Sequence, residues 1–224
     1  VKDGLRRMYG ENSENVYYYL TVYNEPYQQP AEPENLDVES LLKGIYLLKK
    51  PLRWRRKKVA LLASGVAVNW AIKAQKLLND DFGIAATIYS VTSWNELRRD
   101  GLAVDRHNLL NPDKKVSAFI TKKLKKESGP VIAVSDFMRS VQDQIAPWVS
   151  QPFYSLGTDG FGLSDTRGAL RRHFKVDAES IAVAALSQLH KEGLVSKRKV
   201  KKAISKYQIN DVTAAEAGNT EGSG

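Results

Sequence analysis

The chain has 224 residues, 42% of them apolar, which is enough for one compact core plus extra segments or for two small cores. Its 34 Lys and Arg against 25 Asp and Glu give a formal charge of +9, which leaves nucleic acid or another acidic partner open. The lack of any cysteine excludes disulfides, thiol catalysis and cysteine-ligated metal and fits a reducing cytoplasm, and no apolar run approaches the roughly 20 residues of a membrane-spanning helix.

The opening VKDGLRRMYG is charged at once, lacks the apolar stretch of a signal peptide and has no starting Met, so the chain is expected to begin inside a longer one. Residues 1–10 read as the end of a helix, with Leu5 and Met8 on one face and Gly10 past the last turn. Residues 16–23, VYYYLTVY, are β-branched and aromatic and predict a buried strand. Pro26, Pro30 and Pro33 then fall within eight residues, interleaved with Glu25, Glu32 and Glu34, the composition of a linker. Order resumes at 38–48, where Gly44-Ile45-Tyr46-Leu47-Leu48 reads as a short strand, and a basic cluster at 53–58 follows.

From residue 59 the pattern alternates. Apolar strands are predicted at 59–63, 84–91, 131–134 and 153–156. Between and after them come helices at 66–78, 93–99, 116–125, 137–148, 178–191 and 196–207. Ser93 with Glu96 three residues later forms a capping box, and Ser196 caps the last helix. Strands alternating with helices imply right-handed crossovers, hence an α/β fold with a mainly parallel sheet and helices on both faces. Residues 211–224 are small, polar and glycine-rich and are expected to be disordered.

Residues 156–174, LGTDGFGLSDTRGALRRHF, join the last strand to a helix through Gly157, Gly160 and Gly162. This density of glycine predicts a tight, irregular turn, and Ser164 is the expected N-cap with Asp165 at the positive end of the helix dipole. Gly160 and Gly162 are expected to shape the backbone so that Phe161 turns inward, with Asp159 or Asp165 bonding the amino end of the helix. Such a loop at the carboxyl end of a strand gathers ligands or partners in open α/β sheets, and it serves equally as a plain connector. Ser64-Gly65 could offer N–H groups to an anion, but no phosphate loop, GxSxG elbow or GxGxxG is present. His107, His173 and His190 are far apart in sequence and lack metal-ligand spacing, so no zinc site is expected, and His173, between Arg172 and Phe174 on a helix, is expected to be structural. The lysine clusters at 122–126 and 197–206 alternate with apolar residues, as solvated helix faces do.

Over DGLRRMYG, ENVYYYLTVYNEPY, KGIYLL, IYSVTSWNELRRDGLAVDRHNLLNP, VSDFMRS, LGTDGFGLSDTRGALRRHF and VDAESIAVAALSQL, the chain resembles the carboxyl-terminal part of the homodimeric pyruvate dehydrogenase component of bacterial 2-oxo-acid dehydrogenase complexes. These are transketolase-like enzymes with three α/β domains per subunit, the first two of which bind thiamine diphosphate and magnesium across the dimer interface. The resemblance implies that residues 1–30 are the tail of the second domain, 31–57 a linker, 58–209 the transketolase-like carboxyl-terminal domain and 210–224 a disordered tail. It implies a homodimer working with a dihydrolipoyl acetyltransferase component, without a membrane or a specific nucleic acid. The cofactor ligands would lie upstream, so this part alone would bind no thiamine diphosphate or Mg2+ and be inactive. In relatives the turn at Asn24-Glu25-Pro26-Tyr27 approaches the substrate channel, and some carry a His shortly after the Glu where this chain has Gln28 and Gln29. Glu25 is therefore the one residue nominated for catalysis. Two readings from the residues stay open beside this one. They are a stand-alone basic module binding nucleic acid or an acidic partner, and a different transketolase-like enzyme.

Overall fold

The structure, a computed structural model, describes residues 1–23 and 26–215. A five-stranded sheet in the order β1-β3-β2-β4-β5 forms its centre. The strands are β1 (Ile45–Lys49), β2 (Lys58–Ala63), β3 (Ala85–Val91), β4 (Val131–Val134) and β5 (Phe153–Leu156). All neighbours run parallel except β1, which lies antiparallel on β3 with Tyr46 opposite Ser90.

Successive residues of a strand face opposite sides, and here both sides are covered. Leu61, Ala63, Ile88, Ile132 and Val134 face a core shared with helices α3 (Ala67–Phe82) and α8 (Ala178–Lys191). Ala60, Leu62, Tyr89, Val131 and Ala133 face a second core that holds Trp94 and Leu97 of α4 (Trp94–Leu110) and Ile120 and Leu124 of α5 (Phe119–Leu124). That is why the central strands are unbroken apolar runs: neither face meets water. The shorter helix α6 (Arg139–Asp143) joins β4 to β5, and α7 (Arg167–His173) follows the glycine loop. Helix α9 (Lys197–Lys206) packs on α8 and buries Ala203.

Helix starts follow local chemistry. Ser93 Oγ accepts from Glu96 N at 3.1 Å, Asp177 from Ser180 N at 3.0 Å and Ser196 Oγ from Lys199 N at 3.4 Å. Each satisfies one of the donors a helix leaves free in its first turn. Helix α4 runs on to Leu110, well past the expected stop near Arg99, because no breaker intervenes before Pro112. The helix expected over 137–148 is divided into α6 and a 3-10 turn at Ala146–Trp148, where Pro147 supplies no N–H for an α-helical bond.

Three further expectations are corrected. Residues 16–23 do not form a strand. They run extended from α1 (Lys2–Tyr9), with Tyr17, Tyr19 and Val22 exposed, because no strand among the described residues lies alongside to complete a ladder. Within the stretch read as linker, β1 is an integral edge strand, and α2 (Val38–Leu42) precedes it with Asp37 as cap. In the tail read as disordered, Val212–Ala214 form a 3-10 turn against α7, and residues 216–224 lie outside the described residues.

Candidate functional site

The parallel strands end together at one edge of the sheet, and the chain turns there through Ser64-Gly65 after β2, Ser135-Asp136 after β4 and Gly157 after β5. Sheet order reverses between β2 and β4, so this pair of strand ends is the crevice where open α/β sheets place ligands. A chain of hydrogen bonds occupies it. Trp94 Nε1 donates to Ser64 Oγ at 3.0 Å, Ser64 Oγ to Ser135 Oγ at 2.9 Å, and Ser135 Oγ lies 3.4 Å from Asp136 Oδ1. Trp94, Ser64 and Ser135 are buried, so these polar groups satisfy one another out of water.

The phenol of Tyr23, from the extended amino-terminal segment, completes the chain by donating to Asp136 Oδ1 at 2.9 Å. Burial and the Asp136 carboxylate together raise the Tyr23 pKa above the ordinary tyrosine value, so the hydroxyl keeps its proton and remains a donor. Gly65 is needed for this approach: a β-carbon there would meet Tyr23 Oη at 2.0 Å. Tyr27 stands edge-on to Tyr23 with ring centroids 6.0 Å apart, and Asn69 Nδ2 donates to the Gln28 carbonyl at 3.2 Å. Between this segment and the sheet edge runs a cleft of about 620 Å3 lined by Tyr23, Tyr27, Pro30, Tyr46, Gly65 and Thr92. A neighbouring cleft of about 790 Å3 is lined by Trp70, whose ring centroid is 4.8 Å from Lys73 Nζ and 5.0 Å from the Arg171 guanidinium.

The glycine loop lies at the same edge but is built differently from the expectation. Gly157 is held against the β4–α6 turn, where a β-carbon would meet the Phe137 carbonyl at 2.4 Å, and Thr158 N donates to that carbonyl at 2.9 Å. Asp159 accepts from Arg139 N at 2.9 Å, so it caps α6 and not the helix after its own loop. Thr166, not Ser164, caps α7, with Oγ1 accepting from Ala169 N at 3.3 Å; Asp165 accepts from Thr166 N at 2.6 Å. Gly160 has φ +83°, which favours glycine, whereas Gly162 has neither a positive φ nor a close neighbour and needs no glycine. Phe161 points outward, 96% exposed, with Leu163 and Met138 also exposed. The inward ring is thus corrected: the reversal at Gly160 turns Phe161 away from both cores.

Glu25, nominated for the channel, lies outside the described residues. The histidines make structural contacts, His107 Nε2 with the Lys114 carbonyl at 3.0 Å and His190 Nδ1 with the Val195 carbonyl at 2.8 Å, while His173 packs edge-on against Phe174. Among the described residues no cluster of His, Cys, Asp or Glu could hold a metal ion. The edge therefore brings together Tyr23, Gly65, Asn69, Ser135 and Asp136, none of which the sequence singled out as a set. The available signal was a polar pair directly after an apolar strand, at Ser64-Gly65 and at Ser135-Asp136. What joins them to Tyr23 is a contact across 113 positions.

The sequence profile of the transketolase-like TK C-terminal domain matches residues 44–177. The chain is 53% identical over 216 residues to the pyruvate dehydrogenase E1 component of Mycolicibacterium smegmatis, covering 96% of this chain and 23% of that protein. It is 48% identical to that of Mycobacterium tuberculosis over 99% of this chain and 24% of that protein, and 43% identical to that of Escherichia coli over 94% and 23%. It thus spans about a quarter of the length of the curated relatives it matches. A solved transketolase from Leishmania mexicana superposes at a TM-score of 0.47 with 17% identity over 70% of this chain and 20% of that one. With the profile spanning more than half of its residues and a mainly parallel sheet sandwiched by helices, the chain belongs to the transketolase-like carboxyl-terminal domain family.

Proposed function

We propose that the chain is the carboxyl-terminal quarter of a thiamine-diphosphate-dependent pyruvate dehydrogenase component. The single observation that carries this is 53% identity along 96% of the chain to a protein of that name. The whole enzyme would decarboxylate pyruvate and transfer the acetyl group to the lipoyl group of a dihydrolipoyl acetyltransferase. Residues 44–209 would form the carboxyl-terminal domain, with 1–30 as the end of the domain before it. The exposed aromatic face of residues 16–22 supports that assignment, since Tyr17, Tyr19, Leu20 and Val22 have the pattern of a strand and no ladder here to join.

Among the described residues no group of three or more His, Cys, Asp or Glu could hold a metal ion. The ligands of thiamine diphosphate and Mg2+ would come from the preceding domains. This domain's part would be to stabilise a homodimer and to border the channel, with the turn at Glu25 coming from the end of the domain before it. The protein's share of such chemistry is positioning, while the cofactor carries the bond-making.

The test uses the longer protein and this chain side by side. The longer protein should acetylate a lipoyl domain from pyruvate when supplied with thiamine diphosphate and Mg2+. Calorimetric titration of the 224-residue chain with the same cofactors should give no saturable heat. A longer protein that leaves pyruvate untouched, or micromolar cofactor binding by this chain, would refute the reading. A basic nucleic-acid module is less well supported, because the cationic clusters are divided among separate elements and partly neutralised. Lys123 pairs with Asp37 at 3.0 Å and Lys206 with Asp81 at 2.5 Å.

A further inference from the structure

The amino-terminal segment belongs to no sheet, yet it crosses the carboxyl edge of this one at a fixed place. Its outward residues Tyr17, Tyr19 and Val22 are exposed and pair with nothing in a ladder. Tyr18 is tied back to Arg7 and Asp3 of α1, and Tyr23 ties the segment to the sheet edge: its ring reaches over Gly65 and its hydroxyl donates to Asp136 at 2.9 Å. Asp136 is itself set by the buried Trp94–Ser64–Ser135 chain. A few residues later the Gln28 carbonyl takes the second hold, from Asn69 on α3. The crevice that open α/β sheets keep for a ligand is here filled by the chain's own phenol, so the segment is seated like a ligand.

We propose that Tyr23 is a positioning residue: its bond to Asp136 fastens the amino-terminal segment across the sheet edge and thereby fixes how that segment stands at the substrate channel. The channel half of this statement rests on the function proposed above; the clamp does not. A hydrogen bond to a charged acceptor holds more firmly than a neutral one, so losing it releases the segment without disturbing either core. Tyr23→Phe removes only the donor, while Asp136→Ala removes the acceptor that Tyr23 and Ser135 share. Asp136→Asn keeps an oxygen that accepts the same bond and serves as the conservative control.

Two measurements decide it. In the 224-residue chain, chymotryptic cleavage within residues 16–30 should quicken about 10-fold in Tyr23→Phe and in Asp136→Ala and stay near wild type in Asp136→Asn, while amide exchange in β2 and β4 remains unchanged in all three. In the longer enzyme, the first two variants should lower kcat about 10-fold with thiamine diphosphate affinity unchanged, the double variant should be no worse than either, and Asp136→Asn should restore turnover. Unchanged cleavage in Tyr23→Phe overturns the clamp. Faster cleavage with undiminished kcat overturns the positioning role and leaves a purely structural tie. A wild-type longer protein that ignores pyruvate sinks the channel reading and the positioning role with it, while cleavage alone still decides the clamp.

Discussion

At the scale of single residues, the glycine loop separates conformation from burial. Thr166 holds the first turn of α7, so Thr166→Ala should cost about 1 kcal/mol of stability, whereas Ser164→Ala should change it by under about 0.5 kcal/mol. Phe161→Ala should likewise be near neutral for folding, since the ring is in water. Urea unfolding ranks the three variants, and a large loss for Phe161→Ala would mean that the ring is covered in solution. Arg172 is the opposite case. It is 1% exposed, forms a short bond to Asp177, reaches Glu179 at 3.3 Å and donates to the Tyr207 carbonyl at 2.8 Å. Arg172→Ala strands a buried carboxylate and a carbonyl at once, and should cost about 3–5 kcal/mol in the same assay. No sequence cue marked that arginine, because a basic residue in a helix of basic residues looks solvated until α8 and the turn after α9 close over it.

At the scale of elements, α9 carries Lys197, Arg198, Lys201, Lys202 and Lys206 outward while Ala203 and Ile204 face α8 and α3. A basic stripe of this kind attracts phosphate without reading bases. Duplex DNA should therefore bind this chain weakly, regardless of sequence, and lose it steeply as salt rises. Replacing Lys201 and Lys202 with alanine should lower the slope of log affinity against log salt by about 1 per lysine, as fluorescence anisotropy at several salt concentrations would show. Tight, sequence-dependent binding at physiological salt would instead favour the nucleic-acid reading. The amphipathic period of α9 was plain in the sequence, whereas the bounds of α7 were not. Ser164, Asp165 and Thr166 all offer capping oxygens, and the choice among them fell to how the preceding loop is tied to α6.

At the scale of the whole molecule, three phenols link both layers and the amino-terminal segment to carboxylates. Tyr23 donates to Asp136, Tyr89 to Glu127 at 2.9 Å and Tyr207 to Asp81 at 2.6 Å. Burial foremost, with the adjacent carboxylate, raises each phenol above its ordinary value of 10.0. A group that holds its proton more tightly when folded contributes stability that is complete below its unfolded pKa and is lost as pH rises beyond it. Stability should therefore not fall on account of these phenols up to pH ~10 and should decline above it, with a shallower decline in Tyr89→Phe. Urea midpoints at a series of alkaline pH values read this directly; an identical decline in Tyr89→Phe would remove Tyr89 from the account.

The sequence by itself determined the repeating part of this protein. Strands β2 to β5 and helices α3, α8 and α9 are legible because periodicity reports burial, and caps such as Ser93 and Ser196 report where a backbone donor needs an acceptor nearby. Both are local quantities, fixed within a few residues. The tertiary structure alone decided what depends on a distant partner. It made Ile45–Lys49, legible as a short strand within the stretch assigned to a linker, the antiparallel edge of the sheet, because β3 offered an open edge. It left residues 16–23 outside any ladder, because a run of aromatic and β-branched residues becomes a strand only beside another strand. It set Phe161 outward, because the reversal at Gly160 and the ties of Gly157 and Asp159 to the β4–α6 turn fix the loop's direction. And it joined Tyr23 to Asp136 across 113 positions, a contact that exists only because β2 and β4 end side by side and leave a crevice wide enough for one phenol.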